Sequence, residues 1–480
     1  EPEDPEKPFQ LRESCTCSWA KRGESFGPEK LRPRIEPWLT ALAQSEHLSC
    51  LIGSGLTHAV HWIATDEPAA GMEPVSFGAF DKEIEADASR VAKLADRRAG
   101  NFEDQLRAAT DLLRGLEILG NAVEGEKEAN DGGGGEGYRT GHAAKSEGSG
   151  ADAETRNALR KWDPAEKAAQ LRAAVASALD EFAGSILTTE RDLVAAAEAR
   201  RNNAFNHLVS FLLSFASRSG TRERLHLFTT NYDRFLEAGA EAAGLRLIDR
   251  FVGTLEPVFR SSRLDVDLHY NPPGIRGEPR YLEGVARFTK LHGSVDWLDC
   301  GEAIRRVGLP FGAGNLAPYL SAPGRSGVTA TQLMVYPNAA KDRETASHPY
   351  VELFRDLAAA ICRPNSTLVC YGYGFGDEHI NRVIGDMLTI PSTHLVVLSY
   401  DDPLGRIMKT YEAMGRGAQA TLLIGNHLGS LPNLVKYYLP KPAIDRTTFR
   451  MADLLRNRFG PTGEERAAKP AQALENGGAE

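Results

Sequence analysis

The chain has 480 residues, of which 42% are hydrophobic and 25% are charged, as in ordinary soluble globular proteins. Its formal net charge of -9 argues against direct nucleic-acid binding by bulk electrostatics, and no apolar run approaches the length that spans a membrane. The six cysteines form no Cys-x-x-Cys pair, so neither a zinc ribbon nor a thioredoxin-type redox motif is available, and their scatter favours reduced thiols in a cytoplasmic protein.

The first half of the sequence predicts one strand among helices. Residues 1–30, rich in Pro, Glu and Lys, are expected to be disordered or loosely attached. A helix is predicted over 34–45 and a short buried strand over 48–52, which Gly53 ends before the next helix. Helical patterns at about 101–217 then predict a helical insertion.

Within that insertion, residues 121–155 are rich in Gly, Glu, Lys and Asn. A Gly-rich run can hold phosphate only between a strand and a helix, and no strand precedes this one, so it indicates a flexible surface loop.

The second half predicts a series of apolar strands. They lie at residues 225–230, 286–291, 366–371, 394–399 and 421–424, with a helix over 377–388. Strands alternating with helices predict an α/β, Rossmann-like fold, in which helices flank a mostly parallel sheet. We expect residues 31–455 to form one domain and 456–480 to be a disordered tail.

Ligands bind outside the carboxyl ends of the strands in such sheets, so the chemistry is expected directly after residues 52, 230, 291 and 371. The first of these ends is Gly53-Ser54-Gly55-Leu-Thr57. Glycines there would let the backbone approach a pyrophosphate, but packing alone explains so short a match equally well.

The second end is Thr230-Asn231-Tyr-Asp233. Asn231 and Asp233 could project into a cleft, or they could cap the helix that begins near residue 234. The third end is His292-Gly293, where the imidazole is a candidate general base, although a lone His is more often structural.

The fourth end is Gly372-Tyr373-Gly-Phe375-Gly-Asp377. Its alternating glycines indicate close approach of the backbone to a ligand, with Tyr373 and Phe375 beside it. Asp377 is expected to cap the following helix.

In order and content, these four segments resemble the sirtuin-like family, with its Gly-Ala-Gly turn, Thr-Gln-Asn-Ile-Asp loop and Leu-His-Gly. Thr-Thr-Asn-Tyr-Asp, Leu-His-Gly-Ser and the late Gly-Tyr-Gly-Phe-Gly-Asp resemble the prokaryotic NAD-hydrolysing branch of anti-phage defence. The resemblance covers roughly residues 48–400. It implies an NAD+ hydrolase in which Asn231, Asp233 and His292 are catalytic.

The resemblance also implies how NAD+ is bound. The residues it places around NAD+ are Gly53, Ser54, Gly55, Thr57, Thr230, Gly293, Gly372, Tyr373 and Phe375. The zinc-binding Cys pairs and the Gly-Ile-Pro-Asp-Phe-Arg segment of protein deacetylases are absent from the sequence. Hydrolysis to nicotinamide and ADP-ribose is therefore expected, without a metal. Gly374 stands where the branch usually has Ser, so this position lacks the hydroxyl that would contact the ribose.

The family members that this chain resembles form homo-oligomers and, in some systems, assemble with a HerA-family ring ATPase. The resemblance thus implies an oligomeric effector controlled by self-assembly or a partner. Three alternatives remain: an NAD-binding sensor or scaffold without turnover, a zinc-free protein deacylase and, least favoured, a dehydrogenase, whose Gly-x-Gly-x-x-Gly fingerprint is incomplete here.

Overall fold

The computed structural model describes most of the chain. The described residues are 6–11, 17–70, 72–94, 97, 99–131, 163–218, 222–262, 264, 266–270, 280–320, 332–335 and 348–441. The predicted tail lies outside them, as does the predicted flexible loop from residue 132 onward. Residues 121–131, the start of that predicted loop, continue a helix. In the segment 1–30, the described residues include two short paired strands.

The secondary structure of the described residues is numbered in chain order. The strands are β1 Phe9–Gln10, β2 Ser25–Phe26, β3 His47–Ile52, β4 His226–Thr229, β5 Arg246–Ile248, β6 Phe251–Val252, β7 Val258–Phe259, β8 His269–Tyr270, β9 Arg280–Tyr281, β10 Val285–Lys290, β11 Gly293–Asp299, β12 Ile304–Arg306, β13 Leu333–Val335, β14 Ser366–Tyr371, β15 His394–Ser399 and β16 Ala420–Ile424. The α-helices are α1 Pro28–Ala43, α2 Ser54–Thr65, α3 Asp81–Leu94, α4 Phe102–Asp131, α5 Pro164–Ala195, α6 Glu198–Ala216, α7 Phe235–Ala242, α8 Ala317–Leu320, α9 Tyr350–Ile361, α10 Glu378–Leu388, α11 Arg406–Met414 and α12 Leu431–Asn433. Single turns of 3-10 or π helix occur at Gly78–Phe80, Gly417–Gln419 and Leu434–Tyr438.

Seven strands form one sheet in the order β16-β15-β14-β3-β4-β10-β5. Every neighbouring pair in it is parallel. The expected α/β, Rossmann-like fold is therefore confirmed. Helices cover both faces, which explains why its strands are apolar runs rather than alternating patterns.

The strand order reverses direction between β3 and β14. From β3 the chain moves through β4 towards the β10 and β5 edge, and it later returns to place β14 on the other side of β3. These two strands stay paired to their last residues, where Tyr371 lies opposite Ile52. A crevice outside the carboxyl ends is expected at such a reversal, so the turns after β3 and β14 are the first candidates for a ligand site.

The side chains of the sheet alternate between two apolar cores. Cys50 and Ile52 belong to a core shared with α1, α2, α6 and α7. Leu51 belongs to the opposite core, which also contains residues of α9, α10 and α11. Within the predicted helical insertion, α6 packs against the sheet, because Leu208 and Phe211 are fully buried in the first core.

The helices α4 and α5 pack against each other and against the loop that follows β4. The rings of Phe102 and Phe182 stack with their centroids 4.2 Å apart. Tyr232, from that loop, joins the same core and donates a hydrogen bond from its hydroxyl to Glu103 Oε1 at 2.8 Å. Across the described ranges, no helix has the length and apolar character needed to cross a bilayer.

A second, antiparallel sheet of five strands, in the order β13-β11-β12-β7-β6, was not predicted from the sequence. Its strand β11 follows β10 directly, because only Leu291 and His292 separate the two strands. Phe251 and Trp297 pack from it into the core of the large sheet, with ring centroids 4.8 Å apart. This sheet therefore fixes the position of His292 from its carboxyl side.

Candidate active site

The turns after β3 and β14 touch through their backbones. Gly53 N donates a hydrogen bond to Tyr371 O at 3.0 Å, and Gly55 N donates one to Gly372 O at 3.1 Å. A Cβ atom on Gly53 would lie 2.4 Å from Gly372 O, and one on Gly55 would lie 2.6 Å from Gly372 Cα. The sequence left phosphate binding and packing open for these glycines, and close backbone packing accounts for both.

A cavity of about 690 Å³ opens beside these two turns. Ser54 and Gly55 form one wall, where α2 begins, and Gly372 and Gly374 form a second. The segment 399–407, which follows β15, forms a third. The amino-terminal end of α2 carries a partial positive charge from the helix dipole, so this wall favours an anionic group.

The side chains of the cavity wall that can carry a charge near pH 7 are Arg406 and His58 and the carboxylates of Asp401 and Asp402. A Cβ on Gly374 would lie 3.0 Å from Nη2 of Arg406, so this guanidinium lies against the turn after β14. Burial lowers the pKa of Arg406 below its ordinary value. Burial, followed by the charge of His61, lowers the pKa of His58, so that its imidazole is neutral at pH 7. Arg406 therefore supplies a cation on this wall.

The loop after β4 is connected to the turn after β3 by its candidate side chains. Asn231 Nδ2 donates to Gly53 O at 3.1 Å and to Thr57 Oγ1 at 3.0 Å. Thr57 Oγ1 donates in turn to Asp233 Oδ2 at 2.6 Å. The structure thus brings Gly53, Thr57, Asn231 and Asp233 together, as the sequence predicted for the carboxyl ends of neighbouring strands.

The capping role that the sequence left open applies to Asp233 as well. Its Oδ1 accepts a hydrogen bond from Phe235 N, the first residue of α7, at 3.1 Å. Thr230 N donates to Ile52 O at 3.2 Å, and Lys290 Nζ donates to Asp233 O. The loop is therefore held by β3 on one side and by β10 on the other.

His292 is paired with a carboxylate that the sequence placed in a different role. Its Nε2 lies 3.0 Å from Asp377 Oδ2, and both residues are buried. Asp377 Oδ1 accepts hydrogen bonds from the amides of His379 and Ile380, so the predicted cap of α10 is confirmed. A carboxylate that caps a helix uses one oxygen and leaves the second for another partner. The predicted cap at Asp377 was therefore the feature of the sequence that could have suggested a second contact.

The remaining predicted residues occupy the same edge but different surroundings. Tyr373 and Phe375 are buried in the core beneath the turn after β14, with ring centroids 4.9 Å apart. The Tyr373 hydroxyl donates to Asn381 Oδ1 at 3.1 Å, and burial raises the pKa of Tyr373. Gly293 is buried at the start of β11, with a φ of 92°. Tyr373 and Phe375 therefore pack in the core and are not among the residues that line the cavity.

The cavity lies beside the hydrogen-bonded side chains of Thr57, Asn231 and Asp233. Gly53 connects them, because its carbonyl accepts from Asn231 while its backbone touches the turn that lines the cavity. The ring of Tyr232 lies 6.4 Å, between centroids, from that of His292. The sequence did not predict the segment 399–407 or Arg406 in this region, although the predicted strand 394–399 ends at the same edge.

One family model matches part of the chain. Residues 225–415 match the family model described as a SIR2-like domain, and such domains are typical of NAD-dependent enzymes. The match includes Asn231, His292 and Asp377 and begins after the Gly53 turn. A search of curated proteins found no match. In the part of the chain that the structure describes, no group of three or more His, Cys, Asp or Glu could hold a metal ion.

Proposed function

We propose that the chain, which carries a SIR2-like domain over residues 225–415, is an NAD+ glycohydrolase that cleaves the nicotinamide–ribose bond. The observation that supports this most strongly is the buried pair of His292 and Asp377, at the same sheet edge as the Asn231 loop. A base oriented by a carboxylate is the arrangement that general-base catalysis uses, and binding alone does not require it.

The proposed position of NAD+ follows from the charges and the space at this edge. Its pyrophosphate lies at the amino-terminal end of α2, near Ser54, where the helix dipole favours an anion. Arg406 adds a positive charge from the opposite wall. The adenosine part occupies the cavity of about 690 Å³, and the nicotinamide riboside part extends towards Asn231 and His292.

The proposed reaction breaks the bond between the ribose C1′ and the nicotinamide nitrogen. The electron pair of this bond leaves with neutral nicotinamide, and positive charge develops on the ribose. Water then adds to C1′ and gives its proton to His292, either directly or through a ribose hydroxyl, which yields ADP-ribose. Nε2 of His292 faces Asp377, so we propose that Nδ1 accepts the proton from water. The Asp377 carboxylate then stabilises the resulting imidazolium.

Asn231 and Asp233 are proposed to act at the nicotinamide riboside end. By resemblance, Asp233 holds the carboxamide, and Asn231 orients the ribose or the attacking water. Thr57 now bridges the two side chains, with distances of 3.0 Å and 2.6 Å. Asn231 is only 8% exposed, so NAD+ must exchange these hydrogen bonds for its own when it binds.

The same hydrogen bonds also favour a second candidate function. Asn231, donating to Gly53 and Thr57, has the environment of a structural residue, which suits an NAD-binding sensor or scaffold without turnover. A zinc-free protein deacylase uses the same nicotinamide-releasing step but needs an acylated peptide as the acceptor in place of water.

One assay separates the three functions. The purified protein is incubated with NAD+, with and without an acetylated-lysine peptide, and nicotinamide and ADP-ribose are followed by chromatography. We expect equal amounts of both products without the peptide. Release of nicotinamide only with the peptide would indicate the deacylase. Binding of NAD+ by calorimetry without any product would indicate the sensor and would contradict the hydrolase.

We further propose that the enzyme is an NAD-depleting effector of bacterial anti-phage defence. This proposal rests on the resemblance described above, as does control by homo-oligomerisation or by a HerA-family ring ATPase. The NAD+ level is measured after phage infection in cells with and without such an ATPase. Cells that carry the wild-type chain are expected to lose NAD+, whereas cells that carry His292→Ala are expected to keep it. Equal NAD+ levels in both would contradict the proposed role.

A further inference from the structure

A second cavity, of about 910 Å³, is lined by Arg234 and Glu237, which follow the Asn231 loop in the chain, and it is not needed for the proposed reaction. It lies between α7, the β5 and β10 edge of the large sheet, and the small antiparallel sheet. Its apolar wall includes Phe251, Phe288 and Phe311. Its polar wall includes Glu237, which lies on α7, and Asp249. Asp296 and Arg306, from the small sheet, complete this wall.

Asp296 is the unusual residue of this wall. It is 5% exposed, and among the described residues its Oδ1 has no hydrogen-bond partner. The nearest cation is Arg306, whose Nε lies 3.9 Å from Asp296 Oδ2. That guanidinium already donates to Asp249 Oδ2 at 2.6 Å. A buried carboxylate oxygen without a donor costs free energy, and a ligand with N–H groups would remove this cost.

Glu237 adds a second acceptor to the same wall. Its Oε1 accepts from Lys290 Nζ at 3.0 Å, whereas Oε2 is buried and has no partner among the described residues. Burial raises the pKa of Glu237, and the negative charge of Asp296 raises it further. Lys290 is thus shared between Glu237 and the carbonyl of Asp233 on the candidate active-site loop.

The charges around the cavity leave one carboxylate in excess. Arg234 is paired with the buried Glu190, outside the lining, and Lys290 is paired with Glu237. Arg306 forms ion pairs with both Asp249 and Asp296. Glu241 and Arg246 line the cavity as well, but both are exposed to solvent, which screens their charges.

We propose that this cavity binds a small organic cation, with a guanidinium or ammonium group at Asp296 and Glu237 and an apolar chain along the phenylalanines. A charged N–H donor pairs with a carboxylate through charge-assisted hydrogen bonds, which are about twice as strong as neutral ones. The aromatic wall suits a cation as well, because the guanidinium of Arg306 already lies 4.4 Å from the ring centroid of Phe251.

The test uses butylguanidinium as the probe and butylurea as a neutral molecule of the same shape. Calorimetry on the full chain is expected to show binding of butylguanidinium and at least about tenfold weaker binding of butylurea. Asp296→Asn should weaken the binding of butylguanidinium about tenfold or more, and Glu237→Gln should also weaken it. Glu241→Gln, an exposed change on the same helix, should leave it unchanged.

No binding of butylguanidinium to the wild-type chain would overturn the proposal, as would equal binding of butylurea. If Asp296→Asn does not fold, as judged by circular dichroism, Glu237→Gln decides the result, and unchanged affinity in that variant would overturn the proposal. The test measures binding alone, so its result is independent of whether the chain cleaves NAD+.

Discussion

Replacing His292 with alanine is expected to lower the rate of NAD+ cleavage by about 10²- to 10⁴-fold, the contribution of a positioned general base. The imidazole is buried, and its Nε2 lies 3.0 Å from Asp377 Oδ2, so the side chain is already oriented. The rate is measured as initial release of nicotinamide from saturating NAD+. The fold of each variant is checked by circular dichroism and thermal unfolding.

Two further variants make this result specific. Asp377→Asn keeps a side-chain oxygen that can cap α10 but removes the charge beside His292, so we expect a smaller loss of rate with a nearly unchanged melting temperature. His207→Ala, on α6, removes a histidine whose ring nitrogen Nδ1 lies 2.8 Å from the backbone oxygen of Asn203, and it should have no effect on the rate. Full activity of a folded His292→Ala protein would show that His292 is not the base.

Replacing Gly53 with alanine is expected to destabilise the fold by more than about 3 kcal/mol. The new Cβ would lie 2.4 Å from Gly372 O and 2.7 Å from Tyr373 Cα, and neither backbone atom can move without separating β3 from β14. These are the two central turns of the candidate site. The free energy of unfolding is measured by urea titration of the purified protein.

The matched control for this variant is Gly385→Ala in α10. No atom would lie within 4 Å of the new Cβ there, so the higher helix propensity of alanine should stabilise the protein by up to about 1 kcal/mol. A Gly53→Ala protein as stable as the wild type would contradict the close packing of the two turns.

The strands of the large sheet could largely be predicted from the sequence, because each central strand is an apolar run that ends at a glycine or a polar residue. This pattern also predicted the grouping of Thr57, Asn231 and Asp233, since the carboxyl ends of parallel neighbours lie at one edge. The strand β5 was missed because it has only three residues, two of which are not fully buried.

The small antiparallel sheet could not be predicted for a different reason. Its strands β6, β7, β12 and β13 have two or three residues each, too few for a periodic pattern. The pair of His292 and Asp377 joins residues 85 positions apart, and the capping pattern alone indicates only one of the two contacts of Asp377. Tertiary packing, which local sequence does not specify, determines both.

We propose that NAD+ is bound and cleaved at the edge where β3, β4, β10 and β14 end. The most direct test is an experimental structure of the His292→Ala variant with NAD+ bound. We predict the pyrophosphate at the amino-terminal end of α2 and the nicotinamide riboside within contact of Asn231 and position 292. NAD+ bound with its nicotinamide away from both, or in the cavity lined by Asp296, would contradict the proposed site.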